Sequence, residues 1–199
     1  GIYQAKNLLT VLSTCTLLRE KGWKIGEEEV LHGLRHSKKL SGLHGRWEII
    51  HSKPMLVLDV AHNEDGIRQL LQQVEMTEHK NLHFILGMVS DKDVTKVLSL
   101  FPKNATYYFT RAQIPRALPQ EELQAIAVAK AGLQGKSYSD VNTAIYRASL
   151  NAGKDDLIIV CGSIFLVGEV SLAAVKATWS GSDGPTPFWD IISAIPYFD

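Results

Sequence analysis

An excess of charge of one sign is the first thing this sequence lacks, since 21 Lys+Arg face 21 Asp+Glu. No net field draws the chain to nucleic acid or to an anionic membrane, and only local clusters are left to bind phosphate. Long hydrophobic runs are missing too: the longest are strand-sized, far short of the ~20 residues a membrane span needs. Cysteine is scarce, with only Cys15 and Cys161, both in apolar surroundings and without metal-ligand spacing. Two buried, reduced thiols in a cytosolic protein are therefore expected. No signal peptide is recognised in a chain that opens on Gly1 rather than Met. There is no GxxxxGK(S/T) loop, no GxGxxG after a strand and no GxSxG elbow. His32 and His36 are spaced for one helix face, but Gly33 stands where a zinc-protease motif needs Glu, so they read as surface histidines. The basic segment Arg35–Lys39 has no aromatic interleaving, which leaves nucleic-acid binding without support.

What is present is an ordinary globular composition, 45% hydrophobic and 21% charged over 199 residues. That suffices for one good core with attached pieces and is too little for two full domains. Residues 4–21 carry Leu8, Leu9, Val11, Leu12, Cys15 and Leu18 at helical spacing and stop at Lys21-Gly22, which predicts an amphipathic helix with a basic last turn. A second helix follows, with Glu27, Glu28 and Glu29 at its positive amino end and Val30, Leu31 and Leu34 on its apolar side. Ser37–Gly45 is basic, holds two glycines and reads as a linker.

Beyond the linker, Met55–Ala61, Leu82–Met88, Ala105–Thr110 and Leu157–Cys161 are short, nearly continuous apolar runs. Such runs suit strands buried on both faces. Helix-length segments separate them: Glu64–Glu75, Asp91–Phe101, Gln120–Ala131 and Asp140–Asn151. The alternation predicts an α/β fold, a Rossmann-like, mostly parallel sheet with right-handed crossovers and helices on both faces. Trp47–His51 adds a strand at an edge.

Ligands of such sheets bind at the carboxyl ends of the strands. The residues to weigh are therefore Asp59–Gly66, Gly87–Asp93, Thr110–Pro119 and Cys161–Gly168. Asp59 closes a buried run and needs a partner, because a dry carboxylate is costly: a ribose hydroxyl pair, an arginine or backbone donors would serve. His62 is placed to face the crevice, and Asn63 to cap the helix that follows. Arg46 reads as a base-stacking or phosphate-bridging group, or as a plain surface arginine. Gln4 and Asn7 share a helical face, where an asparagine amide suits an adenine edge or water. Asp91 is expected to cap the next helix, with Lys92 beside its positive end. Gly162-Ser163 offers N–H groups and a hydroxyl to an anion, or a tight turn with a serine cap.

Taken in order, these pieces form one array: G-x-Y-Q-x-x-N at Gly1–Asn7, G-R at Gly45-Arg46, D-x-A-H-N at Asp59–Asn63, G-M-x-x-D-K-D at Gly87–Asp93 and G-S at Gly162-Ser163. The array resembles the folylpolyglutamate synthase/dihydrofolate synthase family, a branch of the Mur-type ligases, over roughly residues 1–170. The resemblance implies a carboxyl-terminal portion of such an enzyme. Residues 1–43 would be a helical remnant of the central ATPase domain, 44–170 the Rossmann-like ligase domain, and 171–199 a tail outside the resemblance. Within that tail the Ser180–Pro185 segment reads as a flexible joint, and Phe188–Phe198 is apolar and aromatic.

By the same resemblance, the reaction adds L-glutamate to folates or dihydropteroate through an acyl phosphate, with ATP and Mg2+ as cofactors. The phosphate loop, the magnesium ligands and a modified lysine belong to the family's central domain, so no metal ligands are assigned here and this piece alone is expected to be inactive. Asn7, Arg46 and Asp59 would hold ATP, with Asp59 on the ribose side. Of the two implied catalytic residues, His62 would lie near the transferring phosphoryl group and Ser163 near the glutamate pocket. The implied partners are ATP, L-glutamate and folate or dihydropteroate, with no nucleic acid and no membrane, in a cytoplasmic monomer. Alternatives are another Mur-type amide ligase, such as one building peptidoglycan precursors, or a non-catalytic binding module of the same fold. Two positions depart from the family: Val60 stands where Gly is usual and Glu64 where Pro is usual. Glu64 is acceptable at a helix start, and Val60 suits a buried strand while narrowing the space beside the nucleotide.

Overall fold

In the computed structural model, which describes residues 4–42, 44–90 and 93–179, the apolar runs form strands and the segments between them form helices. The chain divides into two compact units, Gly1–His44 and Gly45–Asp199.

The first unit holds α1 (Gln4–Glu20), α2 (Glu27–Arg35) and α3 (Ser37–Ser41). α1 and α2 form where the sequence predicts helices, but their packing does not follow. Leu8, Leu9, Val11, Leu12 and Leu17 are all exposed, and Cys15 is half-buried rather than buried. Three helices alone offer one another too little surface to enclose an apolar stripe. The stretch expected as a linker contains α3, because lysine and serine do not bar a helical turn: Leu40 N–H donates to His36 O at 2.9 Å.

The second unit runs β1 (Glu48–Ser52), β2 (Met55–Leu58), α4 (Glu64–Glu75), β3 (Leu82–Leu86), α5 (Val94–Leu98), β4 (Thr106–Phe109), α6 (Gln120–Ile126), β5 (Gly135–Ser137), α7 (Val141–Asn151), β6 (Leu157–Cys161), α8 (Ile164–Gly168) and α9 (Leu172–Thr178). A π-helical turn, Ala127–Ala131, extends α6. The six strands form one sheet in the order β1-β2-β6-β3-β4-β5. All neighbours are parallel except β1, which pairs antiparallel with β2 at the edge. Asp59, Gly87, Thr110 and Cys161 therefore stand at or just past the carboxyl ends of four parallel strands, on one edge of the sheet, as expected.

The alternation of side chains along each strand sorts the core into two layers. On one face Val57, Phe84, Leu86, Tyr107, Phe109, Leu157, Ile159 and Cys161 pack with residues of α4, α5 and α6. On the other Leu56, Leu58, Ile85, Tyr108, Ile158 and Val160 pack with residues of α7, α8 and α9. Each fully buried aliphatic side chain contributes about 1.5–3 kcal/mol, so the doubly covered central strands hold most of the stabilisation.

Several elements differ from expectation. The helix expected over Asp91–Phe101 is α5, shorter, and its cap is Asp93, whose carboxylate accepts from Lys96 N at 3.4 Å. Asp91 and Lys92 lie outside the described residues, as do residues 180–199. Strand β5 is three residues without an apolar run, so its sequence carries no strand signal. The segment set apart as a tail begins with α9, which buries Ala174, Val175 and Thr178, and Trp179 stacks on His51 at 4.4 Å between ring centroids.

At the amino ends of the strands lies a buried polar network. His83 Nε2 is 3.3 Å from Asp156 Oδ2 and its Nδ1 is 3.3 Å from the Tyr108 hydroxyl, which accepts from Asn151 Nδ2 at 3.0 Å. Asp156 also accepts from Gly153 N at 2.7 Å, Asn81 N at 3.0 Å and Asn81 Nδ2 at 2.9 Å. Burial alone would raise the Asp156 carboxyl, but the hydrogen bonds from Gly153, His83 and Asn81 outweigh it and hold the group below the usual carboxylate range. This stabilisation is complete at neutral pH and is lost as pH falls from about 3.9 through the depressed value. Asp156→Asn is expected to cost ~1.5–3 kcal/mol at pH 7 in urea denaturation and to flatten the acid limb of stability against pH. An unchanged acid limb in the variant would count against the network.

Candidate functional site

The carboxyl edge of the sheet is assembled from the loops that follow β2, β3, β4 and β6, together with the turn that precedes β1. Asp59, only 2% exposed, joins two of these segments. Its Oδ2 accepts from Trp47 N at 2.8 Å and its Oδ1 from Ala61 N at 2.9 Å. The backbone-donor alternative for this residue is thus realised. Asn63 caps α4 as expected, accepting from Gly66 N at 2.8 Å.

The turn at Gly45–Trp47 is held from both sides. Gly45 has φ 84°, and an added Cβ would lie 2.7 Å from Val60 Cγ1 and 2.8 Å from Val167 Cγ1. Only glycine meets both the left-handed backbone and the close approach. Gly45 N donates to Glu48 Oε2 at 2.9 Å, and Gly45 O accepts from Val60 N at 2.8 Å. Val60, the departure from the family pattern, is buried against Gly45 and fills the space a glycine would leave there. Trp47 has φ 48°, a costly conformation for a bulky residue, and Asp59 grips its N–H. Arg46 projects from this turn, exposed, and makes no side-chain hydrogen bond or ion pair with the described residues.

His62 and Ser163, from the loops after β2 and β6, line one cleft of about 240 Å³ with Val89, Arg116, Gly162, Ile164 and Phe165. His62 Nδ1 lies 2.9 Å from Val60 O, so Nδ1 carries the proton and Nε2 is the atom left to exchange one with a bound molecule. Ser163 is buried and caps α8, where its Oγ accepts from Phe165 N at 3.2 Å. The serine cap is therefore real, and the hydroxyl hydrogen is still available to donate. Arg116, which sequence reasoning reached only as part of the Thr110–Pro119 window, sets its Cζ 4.6 Å from the centroid of the Phe165 ring. Stacking of this kind orders a guanidinium. Cys161, beneath the cleft, is inert as a thiol: burial first, and the Asp59 charge second, push its pKa well up.

The cleft thus combines a guanidinium, a hydroxyl donor and an imidazole nitrogen over apolar walls, a set suited to an anionic, carboxylate- or phosphate-bearing molecule. Asp59 braces the neighbouring turn through Trp47 N and Arg46 lies on that turn, while Asn7 belongs to the first unit, on α1. Among the described residues, no group of three or more His, Cys, Asp or Glu side chains is placed to hold a metal ion.

The chain is similar to known proteins over most of its length. A probable bifunctional folylpolyglutamate synthase/dihydropteroate synthase of Haloferax volcanii is 29% identical over 180 residues, which cover 90% of this chain and 20% of that protein. The folylpolyglutamate synthase of Lacticaseibacillus casei is 28% identical over 173 residues, 85% of this chain and 38% of its own length. A crystal structure of the bifunctional folylpolyglutamate synthase/dihydrofolate synthase of Yersinia pestis, complexed with AMPPNP and Mn ion, superposes with a TM-score of 0.65 at 28% identity, covering 81% of this chain and 37% of that one. The chain spans well under half the length of each of these proteins, 20% to 38%. The family described as Mur ligase, glutamate ligase domain matches residues 45–164, a span that takes in Arg46, Asp59, His62 and Ser163. With its parallel sheet and the loops of its carboxyl edge inside that match, the chain belongs to the Mur ligase, glutamate ligase domain family.

Proposed function

We propose that this chain forms one wall of the active site of an ATP-dependent ligase that joins L-glutamate to a folate or to dihydropteroate. The observation that carries the reading is the meeting of His62, Ser163 and Arg116, from three separate loops, at one cleft. The names of the similar proteins support the substrate class, and the nucleotide analogue and metal in the Yersinia enzyme support ATP and a divalent ion.

In this reading the γ-phosphoryl group passes to the substrate carboxylate, giving an acyl phosphate. The α-amine of glutamate then attacks the acyl carbon, an amide bond forms and phosphate leaves. Such chemistry needs positioning and charge neutralisation more than a protein nucleophile, which fits a site of Asn, Arg, Asp, His and Ser. Asn7, Arg46 and Asp59 hold ATP: Arg46 bridges or stacks, and Asp59 serves the ribose side while pinning the turn that carries Arg46. His62 Nε2, when protonated, donates to charge developing on the phosphoryl group. Ser163 and Arg116 serve the carboxylates of the incoming glutamate. Magnesium, with the phosphate loop, belongs to parts of the enzyme outside this chain. Among the described residues no helix is long and apolar enough to cross a membrane, and the proposed enzyme is a cytoplasmic monomer.

Steady-state kinetics of the enzyme that contains this chain, with ATP varied, divide the roles. Arg46→Ala and Asp59→Ala should each raise the KM for ATP, because losing a charged contact in a partly closed site costs on the order of 2–5 kcal/mol. His62→Ala should lower kcat more than it weakens ATP binding. If His62→Ala spares kcat and Asp59→Ala spares the KM for ATP, these groups do no more than cap and brace the loops.

The 199-residue chain by itself should show no ATP-dependent glutamate ligation, since it contains no phosphate loop. Release of ADP by the purified chain, dependent on glutamate and folate, would contradict that.

A further inference from the structure

In a zinc-protease helix the two histidines hold the ion, and the glutamate between them acts as a base. Gly33 therefore takes the base away from α2 and leaves the ligand pair, His32 and His36, in place. His32 lies within α2 and His36 is its carboxyl cap. A separation of four residues sets the two side chains one above the other on a single face. Their ring centroids are 4.4 Å apart, with the planes inclined by 35°. Two imidazoles that share one ion at metal–nitrogen distances of about 2.0–2.1 Å have their centroids roughly 4.5–5 Å apart. The pair thus already stands close to a chelating separation.

Hydrogen bonding leaves the necessary atoms open. His36 Nδ1 lies 3.0 Å from His32 O, a carbonyl that can only accept, so Nδ1 carries the proton and Nε2 presents a lone pair. A backbone carbonyl on the far ring nitrogen is the usual support of a ligating histidine, because it fixes the tautomer and makes the other nitrogen a better donor. The His32 ring makes no hydrogen bond with the described residues, and both rings are exposed, so each can turn about its side-chain bonds to meet an ion. Of the nearby charges, Glu28 one turn before His32 favours a cation and Arg35 beside His36 opposes it. The imidazoles, rather than a local field, set the affinity.

We propose that His32 and His36 form a two-ligand site for a divalent transition-metal ion on α2. Imidazole nitrogens suit Cu2+, Ni2+ and Zn2+, whereas Mg2+ prefers oxygen, so this site is separate from the magnesium of the proposed reaction. Water fills the remaining coordination positions. The consequence is local. Helix α2 spans nine residues and buries none of them, and a helix so short has little to hold it by itself. An ion that bridges residues four apart binds the helical form in preference to the open one, and it stabilises α2 by mass action.

Titration of the purified chain with Zn2+, Ni2+ and Cu2+ reads the site. Each ion should bind one to one, with Cu2+ the tightest of the three. In imidazole NMR spectra, sub-stoichiometric Zn2+ should move His36 Nε2 and a ring nitrogen of His32 before any signal of His44, His51, His62, His79 or His83. His32→Ala and His36→Ala should each weaken binding by about tenfold or more. Both side chains are exposed, so neither substitution should unfold the chain. Amide exchange across Glu27–Arg35 should slow when Zn2+ is added to the wild-type chain and stay unmoved in either variant. Unchanged Zn2+ affinity in both single variants puts the ion elsewhere and overturns the proposal. So does binding that leaves His36 Nε2 unshifted, or a slowing of exchange that persists when both histidines are replaced.

Discussion

Between the two central strands, β6 and β3, the main chains come together at their carboxyl ends with no side chain between them. An added Cβ on Gly162 would lie 2.5 Å from Gly87 O, and the φ of 105° at Gly162 is one that L residues rarely adopt. The same glycine donates its N–H to Ala61 O at 2.8 Å. This single contact ties the ends of β2, β6 and β3 into one floor. Ser163 then starts α8 above that floor, and His62 follows Ala61 on the neighbouring loop. A side chain at position 162 would force these loops apart and break the cleft before any polar group was touched.

Asp59 does for the neighbouring turn what Gly162 does for the floor, by polarity rather than by absence of bulk. A nearly buried carboxylate has to be satisfied, and here two backbone donors from different segments do it. The arrangement joins two needs that are usually separate. The strained Trp47 backbone gains a strong hydrogen bond, and the charge gains two backbone donors. Arg46, on the same turn, makes no side-chain hydrogen bond or ion pair with the described residues, and a guanidinium in that state is the kind that recognises phosphate oxygens or a base.

Much of the fold was legible in the sequence because its signals are physical. Continuous apolar runs such as LIIVC at Leu157–Cys161 can only be satisfied between two layers, and parallel pairing then places every strand end on one edge. The helix start at Asn63 was legible through capping chemistry. Strand β5 was not, since Gly135–Ser137 pairs through its backbone alone. The exposed leucines of α1 defeat periodicity for a different reason, because spacing reports a helix and not whether a partner covers it. Within the site, His62 and Ser163 were visible as residues next to strand ends. Arg116 was not singled out, because its place depends on a loop that folds back onto Phe165, a contact between residues far apart in sequence.

Helix α9 lies beyond the matched span, yet it covers sheet rather than trailing from it. Val175 joins the core, and Trp179 lies against His51 on β1, the one antiparallel strand and an open edge. Edges of this kind, already carrying the exposed Ile49, are where sheets recruit strands from other chains. A chain ending at residue 171, just before α9, would keep every side chain of the Gly45–Trp47 turn and of the cleft and lose the helix that packs beside that edge. Its first failure would be association in solution, with the residues of the cleft still present in each molecule.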